Sequence, residues 1–228
     1  MFVTYIRGVI RIMILFLFGS TGEIMTEKSG HLNMGTPGIM CMGATGALVG
    51  ATMYINSIGG AYNANWFLAI FIPLFFCLLF SSLTGLLYCF LVNTLQCNQN
   101  VVGLTITTFG AGAFPFVANI TKNEGLSILS ANYYVRMFPK EFCEANWFTQ
   151  IFLSHSFLVY LSIIIAITAL IILKKTRIGL SLRAVGESPS TADASGINVS
   201  KYKYIATIIG SMISGIGGMY YLMVMNNG

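Results

Sequence analysis

The sequence predicts an all-α, polytopic transmembrane helix bundle, with about six spans in a single integral-membrane domain covering 1–228. Of its 228 residues, 56% are hydrophobic and only 8% are charged, and the mean hydropathy is +0.78. Soluble domains carry about 25% charged residues, so this chain has too few charges to cover a water-exposed surface. Its apolar runs also have the length that crosses a bilayer, about 20 residues for roughly 30 Å of hydrocarbon.

The six predicted spans are 5–22, 38–55, 66–92, 101–119, 151–173 and 204–224. The third and fifth are the most apolar, since 67–92 and 158–173 contain no charged residue. The first is the weakest because Arg7 and Arg11 lie within it. A basic start followed by a short apolar run also fits a secretory signal, although no clear small-x-small cleavage site follows.

Between the first two spans, the segment 22–38 is polar and rich in helix breakers. It contains Glu23, Glu27 and Asn33 together with three glycines after residue 29 and Pro37, which predicts a break in the helix. Irregular backbone at membrane depth occurs only where protein or a water-filled cavity surrounds it. At depth, this segment would therefore line a translocation path. The alternative is an ordinary interfacial turn in which Glu27 and Lys28 are solvated.

Small residues recur at four-residue spacing in the second and sixth spans. The pairs are Gly46 with Gly50, Ser211 with Gly215, and Ser214 with Gly218. Helices in lipid associate through close backbone approach at such positions. The spacing predicts tight helix contacts, within the bundle in preference to a dimer seam.

The basic residues of the loops predict the orientation of the spans. The loop 174–203 contains six of them: Lys174, Lys175, Arg177, Arg183, Lys201 and Lys203. The positive-inside rule therefore places this loop and 93–100 in the cytoplasm, and 56–65 and 120–147 outside. The side of the N-terminus stays open, because six spans put Arg7 and Arg11 outside. The net charge of +5 reflects this asymmetry, and no nucleic-acid partner is predicted.

No motif for chemistry by this chain is present in the sequence. It contains no G-x-x-x-x-G-K-[ST], G-x-S-x-G, H-E-x-x-H or EF-hand pattern. Four of the five cysteines lie in or beside spans, with Cys143 in the 120–147 loop, and their spacing fits no metal site. His31 and His155 are far apart in the sequence and lack acidic neighbours that would suggest a metal site. We therefore predict no catalytic residue, no metal and no cofactor.

One short helix is predicted inside the basic loop. Ser188 suits the N-cap and Pro189 the first turn. Residues 190–195 supply about two turns, and Gly196 suits the left-handed position that follows. Such a helix is about 10 to 12 Å long, too short to span a membrane. Its small side chains would let another protein approach closely, which favours a docking element; the alternative is a solvated connector.

Three stretches carry a resemblance to a known family. LRAVGESPSTADASGINVSKYK, at 182–203, resembles the cytoplasmic coupling loop of ABC-importer permeases in the branched-chain amino acid, simple sugar and nucleoside class. GEIMTEKSGHLNMGTPGIMCMGA, at 22–44, resembles the N-terminal signature of the nucleoside branch. QCNQNVVG, at 96–103, is similar to the sequence that precedes a span in that branch. The likeness runs along nearly the whole chain.

The resemblance assigns candidate roles residue by residue. The ATPase-coupling motif matches at Arg183, Gly186, Glu187, Pro189, Ala192, Gly196 and Ile197. The candidates for the translocation path are Glu27, Asn33, Asn98 and Thr107, because uncharged nucleosides need hydrogen-bond partners in an otherwise apolar path. Pro37 stands where the family has glutamate, and Lys28 where it has arginine, which keeps the charge but loses the bidentate fork.

The resemblance implies a permease subunit of an ATP-driven importer for nucleosides, with simple sugars such as ribose or branched-chain amino acids as alternatives. Its implied partners are a cytoplasmic ABC ATPase that docks on the coupling helix at about 189–195, a second permease subunit, and an extracytoplasmic substrate-binding lipoprotein. ATP hydrolysis would belong to the ATPase, so this chain is not expected to be an enzyme. The implied location is the plasma membrane of a bacterium. Since family members continue through further spans, we expect this chain to lack the C-terminal spans of a complete permease.

Two other classes of function remain open on the residues alone. An ion-coupled secondary transporter would use the broken helix with Glu23 and Glu27 for ion coupling. A purely structural membrane subunit would show no change that depends on a solute. ATP dependence of uptake separates these classes from the importer.

Overall fold

The computed structural model describes residues 2–60, 64–121, 125–134 and 147–225. Within them the chain forms α-helices and two short π-helical segments, without β-strands. In chain order these are α1 (Phe2–Glu27), α2 (Thr36–Ile58), α3 (Trp66–Cys89), π1 (Phe90–Thr94), α4 (Gln99–Ile120), α5 (Gly125–Tyr133), α6 (Trp147–Phe152), α7 (Phe157–Lys175), α8 (Arg177–Glu187), α9 (Pro189–Ala194), α10 (Val199–Tyr220) and π2 (Tyr221–Met225).

The prediction of six spans is confirmed, since six of these helical stretches are long and apolar enough to cross a membrane. Three predicted boundaries were wrong, and one of them is the start of the sixth span, which lies at Val199 rather than at 204. The helix α1 continues to Glu27, so the break predicted for 22–38 is confined to 28–35. The fifth span begins at Phe157 rather than at 151, because Ser156 caps α7 by accepting a hydrogen bond from the Leu158 N–H.

The helices α2 and α10 form the centre of the bundle, with α1, α3 and α4 packed around them. Small residues make this packing close. Gly46 and Gly50 of α2 lie against Phe76 of α3, and Gly43 of α2 lies against Gly215 of α10. The small-residue pairs in the sequence therefore serve contacts within the chain, as predicted.

The loops fall at two opposite ends of the bundle. The helices α1 and α10 run antiparallel, since Gly22 lies beside Gly210 while the ring of Phe18 is 6.4 Å from that of Tyr220. The segment 28–35, the turn 95–98 and the helices α8 and α9 consequently share one end, which we call the basic end. Residues 59–60, 64–65 and 153–156 share the opposite end.

The basic end holds most of the positive charge among the described residues: Lys28, Lys174, Lys175, Arg177, Arg183, Lys201 and Lys203. Arg7 and Arg11 lie towards the opposite end, near the start of α1. This distribution places the loops 93–100 and 174–203 on one side of the membrane, as the orientation prediction requires. The N-terminal end of α1 lies on the other side. The charged residues of the 120–147 loop, which the prediction places outside, and Cys143 lie outside the described residues: Lys122, Glu124, Arg136, Lys140, Glu141, Cys143 and Glu144.

Candidate functional site

The segment 28–35, between α1 and α2, has an inverted pattern of burial. Ser29, His31 and Asn33 are buried, whereas Leu32 and Met34 are 43% and 45% exposed. From residue 29 to residue 34, polar side chains therefore point into the protein while apolar ones point away from it, and only Lys28 at the start of the segment is polar and exposed. The pattern is the opposite of that of a water-exposed loop, and it suits a segment whose outer side meets an apolar environment.

The carboxylate of Glu23, in the last turns of α1, holds this segment against α1. The Asn33 N–H donates to Glu23 Oε1 at 3.0 Å, and the Thr36 hydroxyl donates to Glu23 Oε2. The Asn33 side-chain Oδ1 in turn accepts from the Gly35 N–H at 2.9 Å. One acidic side chain thereby fixes both the irregular backbone and the start of α2.

Side chains from α3 and α4 hold the same segment from the other side. The Leu32 N–H donates to Gln99 Oε1 at 2.9 Å, and the Tyr88 hydroxyl donates to the Leu32 carbonyl at 2.8 Å. The Thr107 hydroxyl donates to the Met34 carbonyl at 3.0 Å. These bonds satisfy backbone groups that a helix would have satisfied internally, which irregular backbone in a membrane requires.

A groove of about 710 Å³ lies between α1 and the start of α2. Most of its wall is apolar, including Met13, Phe16 and Met40, but Ser20, Glu23, Asn33 and Thr36 also line it. A second cavity of about 210 Å³ shares Leu15, Pro37 and Met40 with the groove and reaches Phe114 and Tyr221. The groove and the second cavity together extend from the basic end towards the opposite end, along α1 and α2.

The side chain of His31 lies on the buried side of the segment, 1% exposed, with its ring 6.4 Å from that of Tyr88 in an edge-on arrangement. Its Nδ1 is buried without a hydrogen-bond partner. Burial, and secondarily the positive charge of Lys203, lowers the pKa of His31 to about 4. The folded protein therefore holds His31 neutral.

We expect acid to destabilise the protein through His31. In the unfolded chain the pKa of histidine is about 6.5, so below that pH the unfolded state binds a proton that the folded state does not bind. The loss of stability begins near pH 6.5 and is complete near pH 4, and His31 contributes none above pH 6.5. The measurement is the unfolding temperature in detergent across this range. The fall should be smaller in His31→Gln, and equal falls in both proteins would contradict the expectation.

At the basic end, α8 and α9 form a compact pair. Thr176 caps α8 by accepting from the Gly179 N–H at 3.2 Å. After α9, the Gly196 N–H donates to the Asp193 carbonyl at 2.9 Å and the Ile197 N–H donates to the Ala192 carbonyl at 3.0 Å. This is a Schellman motif, and it needs the left-handed φ of +82° at Gly196. Ser188 occupies the N-cap but its hydroxyl accepts from Thr191 instead of capping a backbone N–H, so that part of the prediction was wrong.

Of the seven residues of the coupling motif, three are exposed, three are half-buried and one is buried. Glu187, Pro189 and Gly196 are exposed, and a concave surface of about 640 Å³ lies between α9 and the start of α10. Ala192 is only 3% exposed and faces the chain itself, so it anchors α9 and does not offer a contact to a partner. Arg183, Gly186 and Ile197 are half-buried. The Nε of Arg183 has no hydrogen-bond partner.

The two motif regions touch each other through backbone alone. A Cβ added to Gly186 of α8 would lie 2.4 Å from the Lys28 carbonyl oxygen and 3.2 Å from the Gly30 nitrogen. A Cβ added to Gly30, whose φ is +87°, would lie 3.3 Å from the Gly186 Cα. Only glycine at both positions permits this approach. It joins the helix that leads into α9 to the segment that borders the groove.

Of the four candidates for the translocation path, two meet at the segment and two do not. Asn33 lines the groove, and Thr107 supports the neighbouring backbone. Asn98 is exposed and caps α4 by accepting from the Asn100 N–H at 3.0 Å, whereas Glu27 is exposed at the end of α1.

The predicted candidates for the translocation path omitted Glu23, Tyr88 and Gln99, which hold the segment in place. Glu23 was named only as an acidic residue of the segment 22–38 and as an ion-coupling residue of the alternative secondary transporter. Gln99 lay beside the chosen Asn98, and nothing in the sequence distinguished Tyr88.

Comparison with known proteins identifies a family and several relatives. Residues 4–227 match the family described as branched-chain amino acid transport system / permease component. The chain is 29% identical to the nucleoside ABC transporter permease protein NupC of Lactococcus lactis subsp. cremoris, over 90% of this chain and 62% of the relative. It is 28% identical to the guanosine ABC transporter permease protein NupQ of Bacillus subtilis, over 88% and 61%.

A third relative is the putative glucose ABC transporter permease protein TsgC13 of Haloferax volcanii, 25% identical over 90% of this chain and 58% of the relative. The chain thus spans about three fifths of the length of these relatives. No solved structure matches it.

Proposed function

Because this chain belongs to the branched-chain amino acid transport system / permease component family, as the sequence resemblance predicted, we propose that it is the membrane-spanning subunit of an ATP-driven importer for nucleosides. The relatives named for nucleosides and guanosine support that solute class. The relative named for glucose keeps simple sugars as the alternative. Six candidate membrane helices agree with a multi-pass permease.

The contact between Gly30 and Gly186 carries the proposal. An importer driven by an external ATPase needs a rigid connection from its docking surface to its solute path. Here α9 is tied to α8, α8 lies against Gly30, and the segment 28–35 borders the groove through Asn33. A displacement of α9 would therefore reach the groove without crossing a flexible loop.

The docking surface is the exposed side of α9 with the concave surface beside it. Glu187, Pro189 and Gly196 would contact a cytoplasmic ABC ATPase subunit, while Ala192 keeps α9 on α8. Arg183, Gly186 and Ile197 lie behind this surface and would set its position. Hydrolysis of ATP takes place in the partner.

The basic end faces the cytoplasm in this proposal, because loops rich in lysine and arginine are retained there. The opposite end then faces an extracytoplasmic substrate-binding lipoprotein, and a second permease subunit completes the path. The location is the plasma membrane of a bacterium, with the loop 174–203 in the cytoplasm.

The groove between α1 and α2 forms this subunit's part of the path. Asn33 supplies hydrogen bonds to the solute, and Thr107 keeps the adjacent backbone in place. Asn98 and Glu27 are exposed at the basic end and do not line the groove, so they have no assigned part in the path. Closure of the paired ATPases moves the docked helices, and the spans then open the path alternately to each side.

The energy source tests this function directly. In cells that contain the assembled transporter and no other nucleoside uptake, depletion of ATP should abolish nucleoside uptake. Collapse of the ion gradients with ATP maintained should leave it intact. The reverse result would assign the chain to the ion-coupled transporters, and uptake that never depends on this chain would make it a structural subunit.

Replacement of Gly196 by valine should weaken docking. Nothing lies within 4 Å of a Cβ at this position, so the effect comes only from forcing a β-branched residue into a left-handed conformation, which costs about 1 to 2 kcal/mol. The measurement is the amount of ATPase that co-purifies with the variant, together with uptake. Gly112→Val is the matched control, because Gly112 of α4 also has nothing within 4 Å but is helical. Equal co-purification of both variants would contradict the docking role.

A further inference from the structure

The carboxylate of Glu23 has acceptor capacity that the chain does not use. Each of its oxygens accepts one hydrogen bond, from the Asn33 N–H and from the Thr36 hydroxyl. A carboxylate offers about four lone-pair positions. Each oxygen therefore keeps an acceptor position, and Glu23 lines the groove.

Two of the other polar groups of the groove also present acceptors, while the side-chain amide of Asn33 adds a donor. The Ser20 hydroxyl donates to the Leu17 carbonyl at 3.3 Å, and the Thr36 hydroxyl donates to Glu23, so the protons of both are engaged within the chain. The remaining wall is largely apolar. A solute that supplies two neighbouring hydrogen-bond donors from an otherwise weakly polar body complements this wall.

Neighbouring hydroxyl groups on a sugar ring are such a pair of donors. Proteins commonly bind a ribose 2′-hydroxyl with the carboxylate of an aspartate or glutamate. An acidic side chain within a membrane-spanning helix is also costly, and it usually marks a pathway for a solute or ion.

We infer that Glu23 binds the vicinal 2′- and 3′-hydroxyl groups of the solute, and that the groove thereby prefers ribonucleosides to 2′-deoxyribonucleosides. This inference rests on the proposed function and names the part of the solute that the groove recognises. A site that binds a hydroxyl group discriminates strongly against the analogue that lacks it, because a polar group of the site is left unpaired. A branched-chain amino acid, which has no vicinal hydroxyl groups, lacks the feature that this site binds.

The test compares uptake of uridine and 2′-deoxyuridine by the assembled transporter, with wild-type chain and with Glu23→Gln. An extracytoplasmic binding protein contributes its own selectivity, but that contribution is the same for both proteins. The informative quantity is therefore the change in the uridine to 2′-deoxyuridine ratio. We expect a wild-type ratio at least tenfold higher than that of Glu23→Gln, since the amide replaces one acceptor by a donor.

Thr168→Val, at a hydroxyl that bonds only to its own helix in α7, is the control for insertion and folding and should keep the wild-type ratio. If Glu23→Gln does not reach the membrane, Glu23→Asp is measured instead, and its shorter side chain should lower the ratio at least threefold. An unchanged ratio in the measured Glu23 variant, with ATP-driven uptake of both nucleosides, overturns this inference alone. Absence of ATP-driven uptake of any nucleoside by the wild-type transporter overturns the proposed function and this inference together.

Discussion

Replacement of Gly186 by alanine should reduce nucleoside uptake at least tenfold while the chain still inserts and folds. The added Cβ would lie 2.4 Å from the Lys28 carbonyl oxygen. That oxygen belongs to the backbone of a segment held by Glu23, Tyr88 and Gln99, so it cannot move aside alone. The α8 helix and the segment must separate, and the connection between docking surface and groove is lost.

The same substitution should stabilise α8 as a helix, so a loss of uptake cannot be attributed to unfolding of α8. Alanine is favoured over glycine in a helix by about 1 kcal/mol, so α8 itself becomes a better helix in the variant. Loss of uptake together with continued ATP hydrolysis by the partner would then report lost coupling and not an unfolded docking helix. Gly112→Ala is the control, since its Cβ meets nothing within 4 Å. Wild-type uptake by Gly186→Ala would remove the contact from the mechanism.

Replacement of Gly218 by alanine should be the most destabilising of these changes. Its Cβ would lie 1.8 Å from the Met40 carbonyl oxygen, at the crossing of α2 and α10 in the centre of the bundle. Both neighbours are helical backbone, so the two helices must move apart along their contact. Overpacking in a core costs about 1 to 3 kcal/mol, and a collision with rigid backbone belongs at the upper end of that range or beyond it.

The measurement is the unfolding temperature of the purified protein in detergent. For a chain of this size each kcal/mol corresponds to about 2 to 4 °C, so a fall of roughly 10 °C is expected. Gly8→Ala, in α1 with nothing within 4 Å of its Cβ, should leave the temperature close to that of the wild type. If the Gly218 and Gly8 variants unfold together, the close crossing of α2 and α10 is wrong.

The spans could be predicted from the sequence because the length of an apolar run and the thickness of a bilayer are nearly sufficient to define them. The boundaries were harder to predict. Glu23 and Glu27 looked like loop residues, yet both are compatible with a helix, and α1 ends only where Ser29 and Gly30 follow. The start of α7 was misplaced because the polar residues 154–156 lie between two apolar stretches.

Only part of the site could be predicted, since its decisive contacts join residues far apart in the chain. Asn33 was chosen as a polar group in an apolar region, and the structure places it in the wall of the groove. The partner that fixes its backbone, Glu23, follows from the path of the chain between α1 and α2. The approach of Gly30 to Gly186 follows from packing between α8 and the end of α1. Local propensity cannot specify either contact.

Because α7 lies at the edge of the bundle, the thickness of the lipid bilayer should affect the tilt of this helix. This helix packs mainly on α1 and on α8, and its outer side exposes a run of isoleucines and leucines that includes Ile164, Ile167 and Leu170. Helices of this kind tilt to match the hydrocarbon around them. Only Thr176 separates α7 from α8. A change in the tilt of α7 should therefore also move α8. We therefore expect the position of α8 and α9 relative to the membrane to depend on the lipids that surround α7.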